Sequence, residues 1–328
     1  MVNAQNVNGV MHMLRDILSK RFNFPFYEPT ILGNIDESLR WFEEHKHLIG
    51  SVYTTPSHLD VPFHSIASLV KPYTINNDDK RYVLSTLRQM GIGINIIINN
   101  VWDVVPTKYL ETIAENSDIV TVPNHGYKNI IKNHGCKVKN TAINMARYDN
   151  VVNGEYDDYD VIMIHDFIAH NHDKWLKIKK NRVFSTIVNI MCTVDCCIKD
   201  HHYKLLNDGI SERYFCPIAK TTNRFNVLRA SSLPLCESEY EYYSDVIDEY
   251  KLAGRASHED FRKAQNIVEY VDSGFPPLPE YQDVTWMYHV RNCGGQCSKC
   301  NWCTMHYIKY ENSSNNRQSQ DFVCPEDV

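Results

Sequence analysis

Eight of this chain's eleven cysteines fall into two sets whose spacing suits metal binding. The tighter set lies in "NCGGQCSKCNWC" (292–303), where Cys293, Cys297, Cys300 and Cys303 form a C-x3-C-x2-C-x2-C run. Thiolates are soft ligands that serve both zinc and iron–sulfur centres. Gly294 and Gly295 free the backbone to fold back on itself. The run is expected to hold a second iron–sulfur cluster or a zinc ion, with His306 able to replace a thiol. The looser set is Cys192, Cys196, Cys216 and Cys236, with Cys197 competing with Cys196 for its place. Its spacing matches no zinc knuckle built from two short pairs, which favours a [4Fe–4S] cluster. The plain alternative is a group of buried, inert thiols.

Acid–base and anion-binding residues follow the apolar runs. "TPSHLDVPFHS" (55–65) offers His58, Asp60 and His64, and "IHDFIAHNHD" (164–173) offers His165, Asp166, His170 and His172. Asn124 and His125 follow a third run. His58, His165 and Asp166 are expected to be the acid–base or substrate-contacting groups. Lys251 and Arg255 end the last run and are expected to bind an anion, as barrels often do near their last strands. For any one of these taken singly, a hydrogen-bonding loop residue is the simpler account.

These groups need elements that bring them to one place. Runs of strand length recur at 49–55, 93–99, 118–122, 137–143, 160–164, 183–190, 225–229 and 246–254. They are rich in Val and Ile, as strands buried on both faces should be. Between them lie helical stretches at 77–91, 106–117, 124–135 and 258–274, with capping residues or Pro at the start or Gly at the end. Strands alternating with helices predict βαβ units and a parallel sheet. Eight in this length predict an α/β fold, a TIM-like (β/α)8 barrel, with every candidate group at its C-terminal mouth. The barrel is expected over 1–274, with a helical lead-in that includes 36–50. A cysteine-rich extension follows at 275–310 and a flexible tail at 311–328.

Bulk composition removes several classes. The net charge of −6 calls for no nucleic-acid partner, and the basic stretch 170–182 suits a solvated helix. No apolar run approaches the roughly 20 residues that span a bilayer, and residues 1–20 lack a signal-peptide pattern. A cytoplasmic protein without a membrane partner is expected, and in a reducing compartment its cysteines point to metal. No Gly-rich phosphate loop follows the early strands, and no HExxH or Ser/His/Asp pattern appears.

The segments "VNIMCTVDCCIKDHHY" (188–203), "FCP" (215–217), "LPLC" (233–236) and "DEYKLAGR" (248–255) resemble a known group. They are similar to the collagenase-like peptidase family of unassigned mechanism, which includes oxygen-independent hydroxylases of tRNA uridine and ubiquinone precursors. Asn189, Cys192, Cys196, His201 or His202, Cys216, Cys236, Lys251 and Arg255 occupy matching places over roughly 50–275. The resemblance implies a TIM-like barrel with a four-cysteine [4Fe–4S] cluster and redox chemistry. It also implies pairing with a related barrel as a heterodimer. Two departures stand out: a short gap between the first two cysteines, and Ile190–Met191 where the family has an acidic residue.

The expected function is an iron–sulfur redox enzyme, hydroxylase-like, acting on a nucleotide, an RNA base or a small aromatic. An electron-transfer partner would serve it. The alternatives are a non-enzymatic, metal-braced binding or assembly protein, and a peptidase known only from the family's name.

Overall fold

The computed structural model describes residues 22–59, 77–98, 104–141, 145–164, 172–187, 242–254 and 257–274. Eight parallel strands run β1 (Phe22–Pro25), β2 (Ile49–Thr54), β3 (Gly93–Ile97), β4 (Ile119–Val122), β5 (Lys137–Asn140), β6 (Ile162–Met163), β7 (Phe184–Ile187) and β8 (Glu249–Lys251). Their order is β5-β4-β3-β2-β1-β8-β7-β6. β1 pairs with both β2 and β8, and single bridges at Lys139–Val161 and Ala146–Ile164 bring β5 to β6. The result is a nearly closed (β/α)8 barrel.

The helices between them are α1 (Glu28–Ile31), α2 (Ile35–His45), α3 (Asn77–Gln89), α4 (Thr107–Glu115), α5 (Lys128–Asn133), α6 (Tyr148–Val152), α7 (His172–Lys179) and α8 (His258–Asp272). Their limits match the capping signals. Asn34 accepts from Glu37 N at the start of α2, and Ser257 accepts from Asp260 N at the start of α8. Gly91 (φ 80°) and Gly274 (φ 86°) take the left-handed conformation just past α3 and α8, which only Gly adopts without strain.

One expected element moves. The first strand is not 49–55 but Phe22–Pro25, inside the stretch read as a helical lead-in. "FNFP" is four residues long, ends in Pro and carries Asn at its centre, so it lacks the Val/Ile run that marks the other strands. The strand expected at 225–229 lies outside the described residues, as do the extension at 275–310 and the tail at 311–328.

The main hydrophobic core lies between sheet and helices. Phe24, Val52, Ile94, Ile96, Val120, Val138, Ile162 and Phe184 face outward and meet Phe42, Val83, Leu87, Ile113, Ile131, Trp175, Phe261 and Val268. Inside the cylinder the described residues form a small separate cluster, Met145, Met163 and Ile187.

The seam between β5 and β6 is closed by a side chain. The Asn140 amide donates to Met163 O (2.9 Å) and accepts from Met163 N, extending a peptide ladder that is reduced there to single bridges. The opposite, N-terminal end uses a repeated clip. Asp118, Asp160 and Asp248 each stand just before an even-numbered strand. Each donates its own N–H to the preceding strand's carbonyl, at Ile94 (2.9 Å), Val138 (3.0 Å) and Phe184 (2.9 Å). Each carboxylate accepts the N–H of that same residue, at 2.7, 2.8 and 2.7 Å. Each also meets a basic residue from the last turn of the helix that leads into that preceding strand: Arg88, Lys132 and Lys179.

Replacing Asp248 with Ala strips Phe184 N of its acceptor and should lower stability by about 1–3 kcal/mol. Asp248→Asn, which keeps an oxygen in place, should lose less. Urea midpoints at constant slope measure both.

Candidate functional site

Register decides which side chains share a level inside the barrel. In an eight-stranded barrel of this kind, side chains from alternate strands stack in layers of four. Starting from Asn23, each step of two strands with an advance of two residues leads to Asn95, Lys139, Ser185 and back to Asn23. The middle layer is therefore entirely polar. Below it lie Ser51, Ile119, Val161 and Glu249, and above it, toward the C-terminal mouth, Tyr53, Thr121, Met163 and Lys251. Barrels usually fill these positions with bulky branched residues. Here only Ile119, Val161 and Met163 are aliphatic.

Hydrogen bonds confirm the layering. Lys139 Nζ pairs with Glu249 Oε1 and donates to Ser185 Oγ (2.9 Å). Ser185 Oγ (2.7 Å) and Asn23 Nδ2 (3.4 Å) donate to the same Glu249 oxygen. Thr121 Oγ1 donates to Asn95 Oδ1 (2.8 Å). Higher up, Lys251 Nζ stands 4.7 Å from the centre of the Tyr53 ring, whose hydroxyl donates to Leu252 O (2.6 Å). Burial pushes the Glu249 carboxyl up, but the Lys139 charge, the bonds from Lys139 and Ser185 and the Lys251 charge outweigh it and hold the group below its usual value. Burial drives the Lys139 ammonium below its usual value, and Glu249 restores part of the loss.

At the mouth, the loop after β2 is fixed by a buried cation. Lys80 Nζ of α3 donates to Glu28 Oε1 (2.5 Å), Ser57 Oγ (2.8 Å) and Thr55 O (3.0 Å). Arg81 grips His58 O through Nε (3.2 Å) and Nη2 (2.9 Å). His58 is thereby sealed in, 4% exposed. Burial lowers its pKa to about 3, with Lys80 and Arg81 adding to the shift and a hydrogen bond to the Thr55 backbone opposing it. A ring with that pKa is neutral at pH 7. It can donate or accept a hydrogen bond but makes a weak proton acceptor.

Of the residues singled out from sequence, the structure places His58 beside the mouth and Lys251 in the lumen's upper layer. Arg255, His165, Asp166, Cys192, Cys196, Cys216, Cys236, Cys293, Cys297, Cys300 and Cys303 lie outside the described residues. Asn124 and His125 serve structure. Asn124 caps a short turn by accepting from Gly126 N (2.8 Å), and His125 packs on Tyr156 and Tyr159. His172 stacks on Tyr242 at 3.9 Å between ring centres. Among the described residues no group of three His, Cys, Asp or Glu side chains is placed to hold a metal.

The lumen residues Asn23, Asn95, Lys139, Ser185 and Glu249 were not read from sequence as site residues. For Asn23 and Asn95 the signal was a polar residue between apolar ones, Phe22-Asn23-Phe24 and Ile94-Asn95-Ile96, whereas Lys139 is followed by the polar Asn140 and carries no such mark.

No known family's sequence profile matches the chain, and no curated protein matches it. Solved structures do. A U32 peptidase aligns with a TM-score of 0.46 at 11% identity, over 71% of this chain and 91% of that one. The DHPS of Yersinia pestis, solved with a pterine-sulfa conjugate, aligns at 0.33 and 9%, over 78% and 94%. An HpcH/HpaI aldolase from Desulfitobacterium hafniense aligns at 0.30 and 10%, over 82% and 99%. No helix among the described residues is long and apolar enough to cross a membrane.

Lys139→Met leaves a buried, uncompensated carboxylate and should cost about 3–5 kcal/mol, whereas the Lys139→Met/Glu249→Leu double variant should recover much of that loss. Chemical denaturation of the four proteins of the cycle measures it. His58 gives a second expectation. Below pH 6.5 the unfolded chain takes up a proton that the folded chain refuses. Stability should therefore fall from about pH 6.5 toward pH 3, by up to about 1.4 kcal/mol per pH unit, and His58→Gln should flatten that slope.

Proposed function

We propose that this chain is an enzyme that binds a small polar or anionic molecule at the C-terminal mouth of its barrel and carries out iron–sulfur redox chemistry there. The polar lumen supports this reading above all. A barrel serving only as a scaffold gains stability from branched aliphatic layers. This one instead sets Glu249, Lys139 and Lys251 at successive levels of the lumen, with Lys251 nearest the mouth. In (β/α)8 enzymes that face carries the chemistry. A nucleotide, an RNA base or a small aromatic acid brings the negative or π-rich group that Lys251 and Arg255 would hold.

The cluster would be held by Cys192, Cys196, Cys216 and Cys236. All four belong by sequence to the segment that leaves the C-terminal end of β7 at Ile187 and returns before β8 at Glu249. Four thiolates are the donor set that a [4Fe–4S] cluster requires. When bound, the cluster would supply electrons at the mouth. The chain's own residues would do the rest: Lys251 orients an anionic group, Tyr53 buttresses Lys251, and neutral His58 offers a hydrogen bond. Cys293, Cys297, Cys300 and Cys303 would hold the second cluster or zinc.

Anaerobic purification followed by iron, sulfide and zinc analysis tests the proposal. A brown protein absorbing near ~400 nm with about four iron and four sulfide per cluster is expected. Replacing Cys192, Cys196, Cys216 and Cys236 with Ala should remove one cluster's iron and spare the C-terminal metal. A colourless chain containing zinc alone would point instead to a metal-braced binding protein.

A further inference from the structure

The middle layer of the lumen leaves two amide atoms without partners among the described residues. Asn23 is fully buried, its Nδ2 donates to Glu249, and its Oδ1 accepts nothing. Asn95 is fully buried, its Oδ1 accepts from Thr121, and its Nδ2 donates to nothing. An unsatisfied buried polar atom costs about 1–3 kcal/mol, so native structures rarely keep two in one layer. The two sit on β1 and β3, neighbours in the same layer, with only β2 between them. On β2, the strand between them, Ser51 pairs with Asn23 and Tyr53 with Asn95, and one inward step below Asn95 on β3 stands Gly93, paired in register with Ser51. Bulky branched residues would fill that side of the cylinder in an ordinary barrel. Here a lone acceptor, a lone donor, the Ser51 hydroxyl and the bare Gly93 backbone line its lower part, beneath the Tyr53 ring.

We propose that this wedge is a built site for an ordered water molecule, which accepts from Asn95 Nδ2 and donates to Asn23 Oδ1, with Ser51 Oγ as a third partner. A buried water needs a polar site, room for about one probe sphere and two to four partners. The bridge joins two networks otherwise separate. Thr121 and Asn95 lie on one side. Asn23, Glu249, Ser185 and Lys139 lie on the other. With the water in place, hydrogen bonds run across the lumen from β4 to β8, through all four side chains of the middle layer. Water also fits better than an ion. Exchanging O and N in either amide turns a lone donor into a lone acceptor or the reverse, and one water can serve donor–acceptor, double-acceptor and double-donor arrangements.

A high-resolution crystal structure of the unmodified chain tests this directly. The expected result is an electron-density peak at about 2.7–3.2 Å from both amides. The proposal is overturned if the two amides bond directly to each other, or if the wedge holds no density or a larger bound molecule. A second measurement uses Asn23→Leu, Asn95→Leu and their combination. Either single change leaves the water short of a partner, so the double variant should shift the unfolding midpoint by clearly less than the sum of the two single shifts. Additive shifts would mean that no shared water links the two residues.

Discussion

The barrel is organised around one buried ion pair, Lys139 with Glu249. Lys139 starts on β5, and its ammonium passes β6 to reach Ser185 on β7 and Glu249 on β8. Neither charge is tolerable alone in that interior. The two arcs of the sheet, β5 through β1 and β6 through β8, must therefore close to the right distance before either charge is satisfied. The pair spans the seam where the backbone ladder is thinnest, and there the Asn140 side chain gives Met163 N its acceptor and adds a second donor to Met163 O beside Ala146 N. Closure is thus specified by polar side chains as much as by strand pairing.

The two ends of the cylinder are built differently. At the N-terminal end Asp118, Asp160 and Asp248 repeat one arrangement: carboxylate to strand N–H, with a basic partner from the helix that leads into that strand. Repetition suits an end that only has to hold strands together. Among the described residues of the C-terminal end no such arrangement repeats. Lys80 is consumed by Glu28, Ser57 and Thr55, Arg81 fixes the His58 carbonyl, and Lys251 lies over Tyr53. These contacts spend cations on shaping one loop and one entrance, which suits the binding role proposed for that face.

Much of the frame was legible in the sequence because local signals and tertiary demands agreed. Asn34, Ser257, Pro106, Gly91 and Gly274 mark helix ends by local chemistry alone, and Val/Ile runs mark strands that packing then buries. β1 was missed because "FNFP" has neither length nor aliphatic character, and only its place between β2 and β8 makes it a strand. The lumen was missed for a different reason. Alternation of polar and apolar residues ordinarily signals a strand with one wet face. In this barrel the polar face points inward, and sequence alternation is the same for either direction. The candidate cysteines illustrate a third limit: the close spacing of the C-terminal four is a local pattern, but whether Cys192 meets Cys236 depends on tertiary paths that no local pattern encodes.

The polar lumen also does what an apolar one could not. Aliphatic layers are forgiving: a strand displaced by two residues would still present Val or Ile inward. A displacement of β5 by one residue would turn Lys139 toward the helices and bring Val138 or Asn140 inside, stranding Glu249 without its main partner. A displacement by two would bring Lys137 to the level of Asn23, Asn95 and Ser185, and shift every loop beyond β5 relative to the mouth. Buried polar groups are best attested as devices that fix register rather than as sources of net stability. In this chain the register so fixed is the one that sets Lys251 below the entrance and delivers the ends of β2, β7 and β8 to the same face. The charges inside the cylinder and the arrangement at its mouth are two consequences of a single alignment.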